Sequence, residues 1–207
     1  MEQLVGRSLA ELPPKLCSVE VLISVCLDVL RALEVVHDSD LVHRDIKPAN
    51  IFVVRGTSGS ARGRLIDFGI ALHRLEPDPN QSLGEVVGSA AYISPERLTG
   101  VPAGPAADLY AVGMVFYRCL VGQIPFSHLE PLPQLMRRSK VDIPPLEDSV
   151  SRPLPPGLGG LVDRALSRDL SQRPASAREF AEELKLIQRG ISPRSASDSP
   201  ALPPESA

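Results

Sequence analysis

The chain has 207 residues, 43% hydrophobic and 23% charged, enough apolar material for one well-buried core plus a short tail. A formal net charge of −3 leaves no basic surplus to neutralise nucleic-acid phosphates, so no nucleic-acid role is expected. The three cysteines, Cys17, Cys26 and Cys119, are odd in number and lack metal-ligand spacing, which argues against a disulfide framework and reads as buried free thiols.

In chain order, Glu2 and Arg7 flank a short apolar run at the start, which is not the pattern of a signal peptide. From residue 19 to 36 the positions Leu22, Val25, Cys26, Val29, Leu33 and Val36 recur at three- and four-residue steps, predicting one face of a long helix with Ser18 as its N-cap. Residues 50–54 and 64–66 are short apolar runs separated by a stretch rich in Gly, Ser and Arg, which predicts a small hairpin. Residues 72–89 hold Pro77, Pro79 and Asn80 without any sustained period and are expected to form a long loop, a length that usually signals function.

A second helix is expected over residues 106–121, and its lack of a polar face predicts burial on all sides. The run 109–121 is interrupted by Arg118 and is too short to span a bilayer, so a cytoplasmic chain without a membrane segment is expected. Residues 143–160 are dense in proline and read as a surface connection. Further helices fit residues 158–167 and 176–188, the second with Phe180, Leu184 and Ile187 on one face. Residues 191–207 turn to Ser, Pro and Ala and are expected to be a disordered tail. The fold class expected is mainly α, in the α+β class, with a small β-hairpin.

Chemistry concentrates between the long helix and the end of the hairpin. In His43-Arg44-Asp45-Ile46-Lys47-Pro48-Ala49-Asn50 the Asp45 carboxylate can accept a hydroxyl proton and Lys47 can sit against a transferring phosphoryl group. Asn50 can offer an amide oxygen to a hard cation. Each residue also has a plain reading, since Asp and Asn are common loop formers. Asp67-Phe68-Gly69 presents a carboxylate directly after a strand, with Gly69 permitting a backbone turn; such a tripeptide is weak evidence by itself. Ser94-Pro95-Glu96 closes the loop that Asp67 opens.

Taken in this order, the motifs within residues 43–96 resemble those of the eukaryotic-type serine/threonine protein kinases of bacterial style. The resemblance extends over roughly residues 1–190 and implies the large C-terminal lobe of such a kinase, beginning at the hinge. It implies ATP and Mg²⁺ as cofactors, with Asp45 as catalytic base, Asn50 and Asp67 as metal ligands, and Lys47 on the γ-phosphate. Lys47 two residues after Asp45 matches the serine/threonine branch, so protein Ser or Thr hydroxyls are the expected acceptors.

By the same resemblance, Glu96 and Arg173 form a buried ion pair, and Asp108 holds the catalytic-loop backbone; Asp108 also reads as a simple first-turn charge. Arg44 would pair with a phosphorylated residue of the long loop, for which Ser82 is the candidate, although an unmodified solvated serine fits equally. Ser89 takes the position where the family usually has Thr. Residues 1–6, including Glu2, resemble the hinge that bonds adenine, and Phe52 would be the floor under that ring or an ordinary core aromatic.

The sequence lacks the Gly-rich phosphate loop, the strand lysine and its partner glutamate. A missing N-terminal lobe, on an upstream segment or another chain, is therefore expected, and the 207 residues alone are expected to show little activity. A stand-alone pseudokinase acting as a binding module is one alternative, and a small-molecule phosphotransferase is another.

Overall fold

The computed structural model describes residues 6–12, 18–56, 60–67, 72–73, 90–99 and 104–190; of residues 72, 73, 90, 98 and 99 it describes the backbone alone. The expected tail after residue 190 lies outside them, as do Cys17 and most of the long loop. The strands are β1 (Gly6–Ser8), β2 (Leu41–Val42), β3 (Ile51–Arg55), β4 (Ala61–Leu65) and β5 (Leu72–His73). The helices are α1 (Val19–Asp38), α2 (Pro105–Val121), α3 (Pro131–Lys140), α4 (Leu146–Ser149), α5 (Leu158–Ala165) and α6 (Ala177–Gly190). The described residues are mostly helical, with one three-stranded antiparallel sheet among them, ordered β1-β3-β4, and a minimal β2-β5 pair.

Ser18 caps α1, its Oγ accepting from the Val21 amide at 3.2 Å, so the helix begins where its first orphan donor finds a partner. The α1 stripe Leu22, Ile23, Val25, Val29, Leu30 and Leu33 is essentially inaccessible. Fully burying each such side chain is worth about 1.5–3 kcal/mol, which makes α1 the spine of the core. It packs on β4, α6 and α2. Thirteen of the seventeen residues of α2 are buried, as the absence of a polar face requires. Gly122 stops that helix in a left-handed conformation, φ 93°, returning its N–H to the Arg118 carbonyl at 2.8 Å, a conformation that glycine adopts at little cost.

The hairpin differs from its expected bounds. Asn50 belongs to a short 3₁₀ turn, Pro48–Asn50, and β4 starts three residues earlier, at Ala61, inside the stretch read as connection. The cause is tertiary. Ser24 donates to the Ala61 carbonyl at 3.3 Å, while Asp28 accepts from Gly63 N at 3.1 Å and from Arg62 Nε at 2.8 Å. These bonds hold β4 against α1 without any apolar signal in residues 61–63. A Cβ on Gly63 would lie 2.5 Å from the Val25 carbonyl oxygen, so the close approach requires glycine here.

Two other expectations are corrected. Residues 72–73, read as loop, pair with β2 (Leu41↔His73, Val42↔Leu72). The proline-dense stretch 143–160 is more than a surface connection: it contains α4, whose Leu146 is fully buried and whose Leu146 amide donates to Asp163 at 2.9 Å.

Candidate active site

Residues 43–50 leave α1 through β2 and return to β3, and two anchors fix their path. The first is Asp108, on the first turn of α2 and 1% exposed. Its Oδ2 accepts from the His43 amide at 2.9 Å and its Oδ1 from the Arg44 amide at 2.8 Å. His37 Nε2, at the end of α1, lies 2.9 Å from the same Oδ2, and because a carboxylate is acceptor-only, that ring nitrogen donates. Arg44 sits in the left-handed region at φ 66°, a conformation costing on the order of 1–3 kcal/mol for a non-glycine residue, and the paired amide bonds to Asp108 offset it.

The second anchor comes from β1. Ser8 Oγ donates to the Pro48 carbonyl at 3.0 Å and accepts from Ala10 N at 3.1 Å. The Leu9 amide donates to Ile51 O at 2.8 Å and the Ala10 amide to Pro48 O at 3.2 Å. The 3₁₀ turn that carries Asn50 is therefore gripped along its backbone.

Between these anchors Asp45 receives two donors on one oxygen. Asn50 Nδ2 lies 2.8 Å from Asp45 Oδ2 and 2.8 Å from the Asp45 carbonyl, and Lys47 Nζ lies 2.7 Å from Oδ2. Asn50 is 6% exposed. With its Nδ2 committed to Asp45, its carbonyl oxygen is the atom it can offer a cation. Asp67 is brought alongside by the sheet: Ile51 pairs Leu65, and the Ile66 amide donates to the Asn50 carbonyl at 3.0 Å, one residue before Asp67. Asp67 is exposed and its backbone is left-handed, φ 64°. Burial holds the His43 ring below its ordinary pKa, outweighing the upward pull of Asp108, Asp45 and Asp67; all three carboxylates thus act on one imidazole.

Phe52 is half-buried, on the face of β3 opposite the buried Ile51 and Val53. Among the described residues, no group of three or more His, Cys, Asp or Glu side chains could hold a metal ion. Asn50 and Asp67, joined through the Ile66–Asn50 backbone bond, carry oxygen donors of the kind that suit a hard ion such as Mg²⁺, which is commonly held by one or two carboxylates together with substrate phosphates.

The segment 90–97 flanks this cluster. Glu96 and Arg173 form a bidentate pair, Nη1–Oε1 and Nη2–Oε2 both at 2.9 Å. Arg173 also donates to the carbonyls of Ser167 (2.8 Å) and Ala106 (3.0 Å), and its guanidinium stands 4.9 Å from the Tyr110 ring centroid. Burial pushes the Glu96 carboxyl upward, but the hydrogen bonds and charge of Arg173 prevail and hold it below the usual carboxylate value. Arg97 Nη1 donates to the Arg44 carbonyl at 3.1 Å. Burial also pushes the Tyr92 hydroxyl up to about 12.

A family model described as protein kinase domain matches residues 1–184. The chain belongs to this family. It is 38% identical over 168 residues to the serine/threonine-protein kinase pkn2 of Myxococcus xanthus, covering 77% of this chain and 20% of that protein. It is 34% identical over 170 residues to the serine/threonine-protein kinase PknA of Mycobacterium tuberculosis, covering 82% and 37%. It is 32% identical over 193 residues to the probable serine/threonine-protein kinase PknB of Corynebacterium glutamicum, covering 89% and 28%. The kinase chain thus spans between a fifth and somewhat over a third of the length of these relatives.

Of the residues singled out in the sequence, the kinase fold brings His43, Arg44, Asp45, Lys47, Asn50, Asp67 and Asp108 into one cluster and pairs Glu96 with Arg173. Glu2, Phe68, Gly69, Ser82 and Ser89 lie outside the described residues. Arg44, expected to reach a phosphorylated loop residue, is 6% exposed. No helix among the described residues is long and apolar enough to cross a membrane. Sequence reading missed His37, Ser8, Arg97 and Arg138. His37, at a helix end just before the loop, had a faint signal in its position; Ser8, Arg97 and Arg138 act through backbone carbonyls of distant segments, for which no spacing exists to read.

Proposed function

We propose that the chain carries the catalytic centre of a kinase that transfers the γ-phosphoryl group of ATP to Ser or Thr hydroxyls of protein substrates. The observation that carries this reading is the meeting of Lys47 Nζ and Asn50 Nδ2 on a single oxygen of Asp45, in a loop whose backbone is latched to Asp108. The Asp45 carboxylate takes the proton of the acceptor hydroxyl as its oxygen bonds to the γ-phosphorus and the bond to the ADP oxygen breaks. Lys47 is the cation within reach of the transferred group. Asn50 and Asp67 would hold Mg²⁺, which when bound neutralises charge on the phosphate oxygens. Phe52 would lie under the adenine and Glu2 would belong to the segment that hydrogen-bonds it. The site of action is the cytoplasm.

Phosphoryl transfer depends on positioning more than on covalent chemistry by the protein. The 207 residues contain neither a Gly-rich phosphate loop nor a strand lysine of the Val-Ala-Ile-Lys type, so the polypeptide assayed alone should transfer little.

The test measures Mg²⁺-ATP-dependent labelling of a Ser/Thr protein substrate by the chain alone, by the chain supplied with an upper kinase lobe, and by that protein carrying Asp45→Asn. Labelling should appear with the upper lobe and fall by about 10²–10⁴ with the substitution. An inactive two-lobed protein, or full activity in the Asp45→Asn variant, would end the proposal.

A further inference from the structure

Arg138 is 2% exposed and leads the fully buried side chains by size, yet it sits in α3 among Arg137, Ser139 and Lys140, where a basic run usually serves solvent. Its guanidinium turns inward instead. Nη1 donates to the Ala91 carbonyl at 2.6 Å and approaches the Ile93 carbonyl at 3.4 Å. Residues 90–92 form a 3₁₀ turn, whose last carbonyls have no partner within the turn, so Arg138 supplies the donor that the turn lacks. A guanidinium, always charged and presenting several donors in a fixed plane, suits two closely spaced carbonyls.

The same strap is held elsewhere by other arginines. Glu96 is tied to Arg173, and Arg97 is tied to the Arg44 carbonyl, one residue from Asp45. The strap thus runs from α3 to Arg44, the neighbour of Asp45, which places it beside the carboxylate that a substrate hydroxyl would approach under the proposed function.

We propose that Arg138 is a positioning residue that fixes residues 91–93 against α3 and thereby sets how tightly the site takes polypeptide substrate, without acting on the nucleotide. This rests on the kinase reading above. Removing the guanidinium takes the Arg138 donor from two part-buried carbonyls, and the strap moves to hydrate them. The Asp45, Lys47 and Asn50 constellation, held by Asp108 and Ser8, stays in place.

The test compares the two-lobed protein with its Arg138→Met and Arg138→Lys variants. Arg138→Met keeps the apolar stem; it should raise KM for a Ser-containing peptide about tenfold or more, leaving KM for ATP and the slow hydrolysis of ATP by water within twofold. Arg138→Lys, which can still donate to one carbonyl, should recover part of the loss. Hydrogen exchange of the 91–94 amides should quicken in Arg138→Met with α1 and α2 protection unchanged.

An unchanged peptide KM, or peptide transfer and ATP hydrolysis falling in parallel, overturns the positioning role. If Arg138→Met does not fold, Arg138→Lys decides: a peptide KM equal to that of the parent counts against the proposal, a selective rise for it. A parent protein with no transfer activity refutes the kinase reading and the substrate half of this proposal with it, while exchange at 91–94 still decides whether Arg138 holds the strap.

Discussion

Replacing Glu96 with Gln preserves shape while removing the charge that faces Arg173. The Arg173 side chain is fully buried and that of Glu96 is 10% exposed, so the variant leaves a cation in a dry site, with an amide –NH₂ or a single neutral acceptor in place of the bidentate carboxylate. Removing one partner of such a pair costs about 3–5 kcal/mol. In a domain this size each kcal/mol lowers Tm by about 2–4 °C, so thermal unfolding followed by circular dichroism should fall by about 6–20 °C at pH 7. The pair also has a pH signature. Glu96 is held below its ordinary value when folded, so its contribution is complete above the unfolded carboxylate value of about 4.3 and declines as pH falls through the folded value. The gap between parent and variant should therefore narrow in acid. A variant within about 1 kcal/mol of the parent at pH 7, or a gap that stays constant as pH falls below 4, would refute the assignment of a stabilising buried pair.

Two further substitutions separate folding from chemistry. Asp108→Asn can no longer accept from both the His43 and Arg44 amides and from His37 with a charged oxygen pair; each lost charged bond is worth about 1.5–3 kcal/mol. It should lower kcat at least tenfold in the two-lobed protein while KM for ATP moves little, and an unchanged kcat would show that the latch is dispensable. Gly63→Ala places a methyl 2.5 Å from the Val25 carbonyl oxygen and should destabilise by about 1–3 kcal/mol in urea unfolding with the m-value unchanged. A neutral result would mean that β4 can retreat from α1 freely.

How much could be read without coordinates follows from how local each signal is. The α1, α2, α5 and α6 segments announce themselves because their core stripes repeat within one turn, and the residues around Asp45 cluster because five positions of loop suffice to bring Asn50 back to it. Helix α3 was invisible for the opposite reason. Its pattern is mixed, with Leu132 and Met136 about half exposed while Gln134 and Arg138 are buried together with Leu135, and two prolines stand in its first turn. The β2-β5 pair is two residues long on each side and joins positions some thirty apart, so neither strand has enough sequence to declare a period. Strand β4 is set by Asp28 and Ser24 on another element, and residues 61–63 contain no trace of them.

The grip of β1 on the turn carrying Asn50 has a mechanical consequence. Ser8 and Ala10 bond to the backbone of Pro48, and Leu9 bonds to that of Ile51, so Gly6–Ser8 and the turn carrying Asn50 are joined through their backbones. Under the proposed function, in which Asn50 would offer its oxygen to a cation, a pull on the polypeptide ahead of residue 6 would reach that oxygen through these bonds. Tension at that end would then misalign the proposed metal ligand.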